Sequence, residues 1–86
     1  MNYDRARELL KKDMEVRNYA VDTQNKFVRA LQGICVYSNK LEEVESLDYS
    51  DVKRFLDYLR SEKQFGASSI NNYQAAIKFI FHQIYY

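Results

Sequence analysis

Few side chains in this sequence are of a type that could carry out a reaction, and their spacing argues against one. Histidine occurs once, as His82, and cysteine once, as Cys35, so neither an intrachain disulfide nor a cysteine-based metal cluster can form. No acid–base pair and no metal-ligand constellation stands out, so neither a catalytic nor a metal site is expected. Two other groups of residues do suggest chemistry. Tyr19-Ala20-Val21-Asp22-Thr23 followed by Phe27, and Phe65-Gly66-Ala67-Ser68-Ser69 followed by Tyr73, share one pattern: aromatic, small residue, two spacers, hydroxyl, three spacers, aromatic. Read chemically, each is a helix start that offers a hydroxyl and free backbone amides, a combination that favours an anion such as phosphate. Read structurally, each is a sound helix start whose aromatics anchor a turn to the core.

Both readings require helices, and the pattern of apolar residues predicts four. The first covers about residues 4–15, with Ala6, Leu9, Leu10 and Met14 on one stripe and the basic Arg5, Arg7, Lys11 and Lys12 opposite. After a break at 17–21, the second begins near 20–22 and runs to about residue 38. Asp22 is placed to cap its first turn, and Phe27, Leu31, Ile34 and Cys35 form its apolar stripe, flanked by Val28 and Ala30. Gly33 costs about 1 kcal/mol relative to alanine inside a helix, which points to another helix approaching closely there. The acidic connector 41–47 has apolar residues at every third position and admits one helical turn. Asp48 then caps a third helix, 49–62, with Asp51 in its first turn and Val52, Phe55, Leu56 and Leu59 as its stripe. The fourth helix, from about Ala67 to the end, carries Ile70, Tyr73, Ile77, Ile80, Phe81 and Ile84, with Phe79 off the stripe and Ala75 and Ala76 permitting close packing. Being apolar over so much of its circumference, it is expected to be central. No segment alternates with period two. The expected fold is all-α, a four-helix bundle with one extra short turn.

Composition agrees. Eighty-six residues suffice for one domain, 1–86, with a modest core. The chain has no proline and only Gly33 and Gly66, too little punctuation for a hairpin-rich fold. Charged residues at 29% and hydrophobic residues at 47% are ordinary for a globular protein. No apolar run approaches the roughly 18–20 residues of a membrane span, and the start of the chain is too charged for a signal peptide. A cytoplasmic protein without membrane partners is expected. The net charge of +1 says little, but its distribution says more. Residues 1–40 carry eight basic and five acidic side chains, 41–62 three basic and seven acidic, and 63–86 only Lys63 and Lys78. Against a polyanion, the middle segment should face away and the flanking segments towards it.

Three stretches together resemble the tyrosine recombinases, the phage integrase family. Arg17-Asn18-Tyr19-Ala20-Val21-Asp22-Thr23, leading to Phe27, Leu31 and Tyr37, is similar to the family's R-G-Y-S-x-x-T-x-x-x-Y segment. Leu47-Asp48-Tyr49-Ser50-Asp51-Val52 through Phe55-Leu56-Asp57-Tyr58-Leu59 is similar to its I-T-x-x-D-I-x-x-Y-L-x-x-L helix. Residues 68–80, from Ser68-Ser69-Ile70-Asn71-Asn72-Tyr73 onward, resemble S-T-I-N-x-Y-L-S-A-L-R-x-F-Y. The resemblance spans about residues 14–85. It departs at Ala20 and Gly66, where the family usually has serine, and at Ser69, where it has threonine.

The resemblance implies a SAM-like amino-terminal core-binding domain that covers one face of double-stranded DNA while a separate carboxy-terminal catalytic domain covers the other. Helices two and four would approach the major groove. The family's chemistry needs two arginines, a lysine, histidines and a nucleophilic tyrosine on that other domain, so no catalytic residue and no cofactor is expected here. Tyr85 and Tyr86 read as helix-end packing residues, because nothing nearby could activate a phenol. The implied partners are duplex DNA, the catalytic domain of the parent protein and further recombinase protomers. With the apolar stripes turned inward, Thr23, Lys26 and Arg29 on helix two, and Ser68, Ser69, Asn71, Asn72 and Lys78 on helix four, are the candidate DNA-binding residues, with Arg17 and Lys63 secondary. Asparagine can pair with adenine, while lysine and arginine contact phosphate or guanine. The main rival is a helical interaction module without DNA binding, for which an exposed apolar patch would speak; a helix-turn-helix regulator is a second.

Overall fold

A computed structural model describes the backbone of residues 1–85 and the side chains through Gln83; the expected packing roles of Ile84, Tyr85 and Tyr86 lie outside the described side chains. Four helices follow in order: α1 Tyr3–Val16, α2 Val21–Tyr37, α3 Tyr49–Ser61 and α4 Ala67–Tyr85, with a single 3-10 turn at Val44–Ser46 between α2 and α3. No strand occurs among the described residues. None of the described helices is long and apolar enough to cross a membrane.

The helix ends follow from local chemistry. The Asn2 side chain accepts from the Arg5 amide at 2.9 Å and caps α1. Asn18 then turns left-handed (φ 59°), and the Tyr19 amide closes back on the Met14 carbonyl at 3.0 Å. Asn39 (φ 56°) ends α2 the same way, with the Lys40 amide on the Cys35 carbonyl at 2.9 Å. Both are Schellman-type closures, in which asparagine replaces the usual glycine. Gln64 (φ 54°) is the third left-handed residue, after α3, where the Phe65 amide reaches the Leu59 carbonyl at 3.0 Å, and neither glycine has a positive φ. Asp48 caps α3 in a reciprocal capping box with Asp51.

One cap differs from expectation. Ala20, not Asp22, occupies the N-cap of α2, and no side chain caps that end. The Gln24 side-chain Nε2 donates to the Tyr19 carbonyl at 2.9 Å, holding the chain so that helical geometry begins at Val21, ahead of Asp22. Asp22 lies in the first turn, where its charge complements the helix dipole without capping.

The core comprises Ala6, Leu10 and Met14 of α1, Ala30, Leu31, Ile34 and Cys35 of α2, Val44 and Leu47 of the connector, Phe55 and Leu59 of α3, and Ile70, Ala76, Ile77 and Ile80 of α4. Helix α4 packs on all three other helices, and its pairing with α2 is the most extensive in the fold. Leu9, expected on the α1 stripe, is 39% exposed. It lies about 100° around the helix from Leu10, and the Ala6–Leu10–Met14 line takes the contact. Val52 and Leu56 flank the α3 stripe half-buried, while Phe27 and Phe79 pack half-buried against the core. Burial pushes the Cys35 thiol up to about 11, so at neutral pH it acts as a small apolar residue.

Gly33 is where α3 closes on α2. A Cβ built there would lie 3.0 Å from Phe55 Cζ. That ring is itself held by Tyr37, Tyr58 and Tyr73 at centroid distances of 5.8, 6.5 and 5.9 Å. Gly33→Ala should therefore forfeit the roughly 1 kcal/mol that alanine offers a helix and destabilise the protein by about 1 kcal/mol through overpacking, as read by urea denaturation.

Candidate nucleic-acid interface

The two similar helix starts form similar structures. In each, a left-handed residue (Asn18 or Gln64) precedes the aromatic, and the aromatic meets its partner two turns on: Tyr19 and Phe27 at 6.0 Å, Phe65 and Tyr73 at 5.7 Å. In the first, Phe79 completes a three-ring cluster, 5.7 Å from Tyr19 and 5.1 Å from Phe27. In the second, Phe55 lies edge-on to Tyr73 at 5.9 Å. These anchors set how far each helix start stands from the core.

A groove of about 480 Å³ runs between α2 and α4. Its α2 wall is Thr23, Lys26, Phe27, Arg29 and Ala30, and its α4 wall is Ser69, Asn72, Tyr73, Ala75 and Ala76, with Phe65 at one end. The walls correspond position for position at a constant sequence offset: Thr23 with Ser69, Lys26 with Asn72, Phe27 with Tyr73, Arg29 with Ala75, Ala30 with Ala76. The alanines let the helices approach, the aromatics form the floor, and the hydroxyl, amide and cationic side chains are left at the rim. No acidic side chain lines the groove among the described residues, and none of the seven acids of residues 41–62 reaches it. Lys26 and Arg29 form no ion pair among the described residues, in contrast to Arg5, Arg17, Lys40, Arg54 and Arg60. The start of α2 has no side-chain cap, and at α4 the corresponding residue is Gly66, whose carbonyl accepts from the Ile70 amide at 3.0 Å. The first-turn amides of both helices thus lack a capping side chain from that position.

Of the candidate residues, Thr23, Lys26, Arg29, Ser69 and Asn72 are brought together around this groove. Ser68, Asn71 and Lys78 are exposed on the adjoining stripe of α4. Arg17 is engaged elsewhere: its Nε donates to Asp13 at 2.9 Å and its guanidinium lies 5.7 Å from the Phe79 ring centre. Lys63 lines a second cleft, of about 390 Å³, between α2 and α3. The matched register of the two walls was present in the sequence as the constant offset between the repeated motifs, but it becomes a groove only because α2 and α4 pack side by side. No group of three or more histidine, cysteine, aspartate or glutamate residues among those described could hold a metal ion.

The fold is thus a small four-helix module whose second and fourth helices share a groove with no acidic side chain on its walls among the described residues. Residues 7–86 match the family described as the phage integrase N-terminal SAM-like domain, and the chain belongs to that family. Over 75 residues it is 29% identical to a Sinorhizobium fredii protein named integrase/recombinase y4qK, an alignment covering 87% of this chain and 24% of that protein. The chain thus spans about a quarter of that relative's length. No solved structure is a significant match.

Proposed function

We propose that this chain binds double-stranded DNA along the α2–α4 groove, as the core-binding domain of a site-specific tyrosine recombinase whose chemistry resides in a separate carboxy-terminal domain. The supporting observation is the groove itself, where two matched helix stripes converge and, among the described residues, Lys26 and Arg29 form no ion pair and no acid lines either wall. Phosphate oxygens would meet these cations, Thr23, Ser69 and the first-turn amides, fixing orientation. Asn72, with Asn71 beside it, would reach a base edge.

With so few cations, binding should be weak and salt-dependent. A fluorescence-anisotropy titration with a labelled duplex should give a dissociation constant in the range of about 10⁻⁴–10⁻⁶ M at physiological salt, with log K falling about 0.9 per neutralised phosphate against log salt. Absence of duplex binding at low salt would overturn the reading. Asn72→Ala should cost about 1 kcal/mol on the preferred sequence and little on others, as read by competition between the two duplexes.

A further inference from the structure

The second cleft has a different chemistry from the first groove. Tyr37, Tyr58 and Phe55 form a three-ring cluster, with Tyr37 stacked on Tyr58 at 4.7 Å and 30°, Tyr58 beside Phe55 at 6.5 Å and 23°, and Tyr37 tilted against Phe55 at 5.8 Å and 48°. Tyr37 is the exposed member of the three, at 42%, and its neighbour Val36 is 58% exposed. Arg29, Gln32 and Lys63 are polar members of the lining, and no acidic side chain joins them among the described residues. The cleft adjoins the first groove, because Arg29, Phe65 and Tyr73 line both.

We propose that this cleft holds an unpaired, unstacked nucleotide of a DNA strand, a proposal that rests on the duplex-binding reading above. A part-exposed aromatic ring in a cleft lined by two cations fits a base and its phosphates, whereas an acid-free lining gives a basic partner no counter-charge. Inside a duplex both faces of a base are already covered by its neighbours. A ring seeking a stacking partner can therefore accept only a base that has left the stack. The base stacks on Tyr37, the Gln32 amide meets its edge, and Arg29 and Lys63 bracket the phosphates. Since Arg29 borders both sites, a strand can pass from the groove into the cleft while staying on the protein.

The test titrates the isotopically labelled 86-residue chain with oligothymidylate of about eight nucleotides and, separately, with a blunt duplex. Single strand should shift the backbone amides of Gln32, Gly33, Val36 and Tyr37. Tyr37→Ala should weaken single-strand binding about 10-fold, within the range for loss of one stacked base, and change duplex affinity less than about twofold. Gln32→Glu, an exposed substitution that leaves the core untouched, should also weaken the single strand by adding a negative charge. Unchanged single-strand binding in both variants, or amide shifts confined to the α2–α4 groove, would overturn the proposal. So would shifts of the cleft amides by an acidic peptide containing leucine and phenylalanine but none by oligothymidylate, which would assign the cleft to a protein partner. Duplex binding without strand binding removes the cleft proposal alone; loss of both removes the reading beneath it.

Discussion

Lys26→Ala and Arg29→Ala together should weaken duplex binding by about 10- to 100-fold at low salt and reduce the slope of log K against log salt by about two. Both side chains line the α2–α4 groove, and neither forms an ion pair among the described residues. Neither is in the core cluster, so the fold should survive. A phosphate contact by a cation releases about one condensed counterion, which is why the salt slope reports contacts directly and a loss of folding does not mimic it. Lys78→Ala should cost less, about threefold with a slope change of at most about one, because Lys78 stands on the stripe beside the groove rather than in it. Anisotropy titrations at three or more salt concentrations check both. If the double variant binds like the parent while Lys53→Ala and Arg60→Ala on α3 weaken binding, the orientation is reversed and the groove is not the interface.

Asp51→Ala should destabilise the protein by about 2–3 kcal/mol, lowering its thermal midpoint by roughly 10–20 °C for a domain of this size. Asp51 is 2% exposed yet charged. Its carboxylate accepts from the Asp48 amide at 3.0 Å, from Lys40 Nζ at 2.7 Å and from Arg54 at 2.9 Å, while its own amide donates to Asp48 at 3.0 Å. Lys40 also donates to the Ser46 carbonyl at 2.9 Å, so one carboxylate ties the end of α2 to the connector and to the start of α3. Arg54 is largely solvent-exposed and contributes little of this energy.

The same network makes stability depend on acid. Burial pushes the Asp51 carboxyl up, but the hydrogen bonds from Lys40, the Asp48 amide and Arg54, with the charge of Lys40, outweigh it and hold the group below the usual aspartate range. Because the folded value is lower than the unfolded value of about 3.9, the unfolded chain binds the proton more readily. The contribution is therefore complete above the unfolded value and is lost as pH falls through the folded one. Urea denaturation at neutral pH and near pH 3 should show the parent losing more stability than Asp51→Asn, which has no charge to neutralise. Equal losses would mean that other carboxylates govern the acid response.

Much of this molecule is legible from residue order alone. Period-3.6 apolar stripes such as Leu31–Ile34–Cys35 and Phe55–Leu59 define helices because burial needs one continuous face, and Asp48 marks a helix start because its side chain satisfies an amide that the helix leaves unpaired. The similarity of the Tyr19 and Phe65 segments is equally a property of the sequence. What sequence could not supply is which faces meet. Leu9 looks as apolar as Leu10, yet only tertiary packing decides that α1 turns Leu10 inward. Asp51 reads as a first-turn acid, but its burial and its bond to Lys40 depend on the path of the connector. Arg17 and Lys63 flank their helix starts as equivalents in sequence, yet the first is taken up by Asp13 and Phe79 and the second lines a separate cleft. The repeated motif becomes a two-walled groove, with no acid on its walls among the described residues, only because α2 and α4 lie side by side. Periodicity is a local property of one chain segment, whereas a groove or a buried ion pair is a distance between segments, and the packing of the whole core sets that distance.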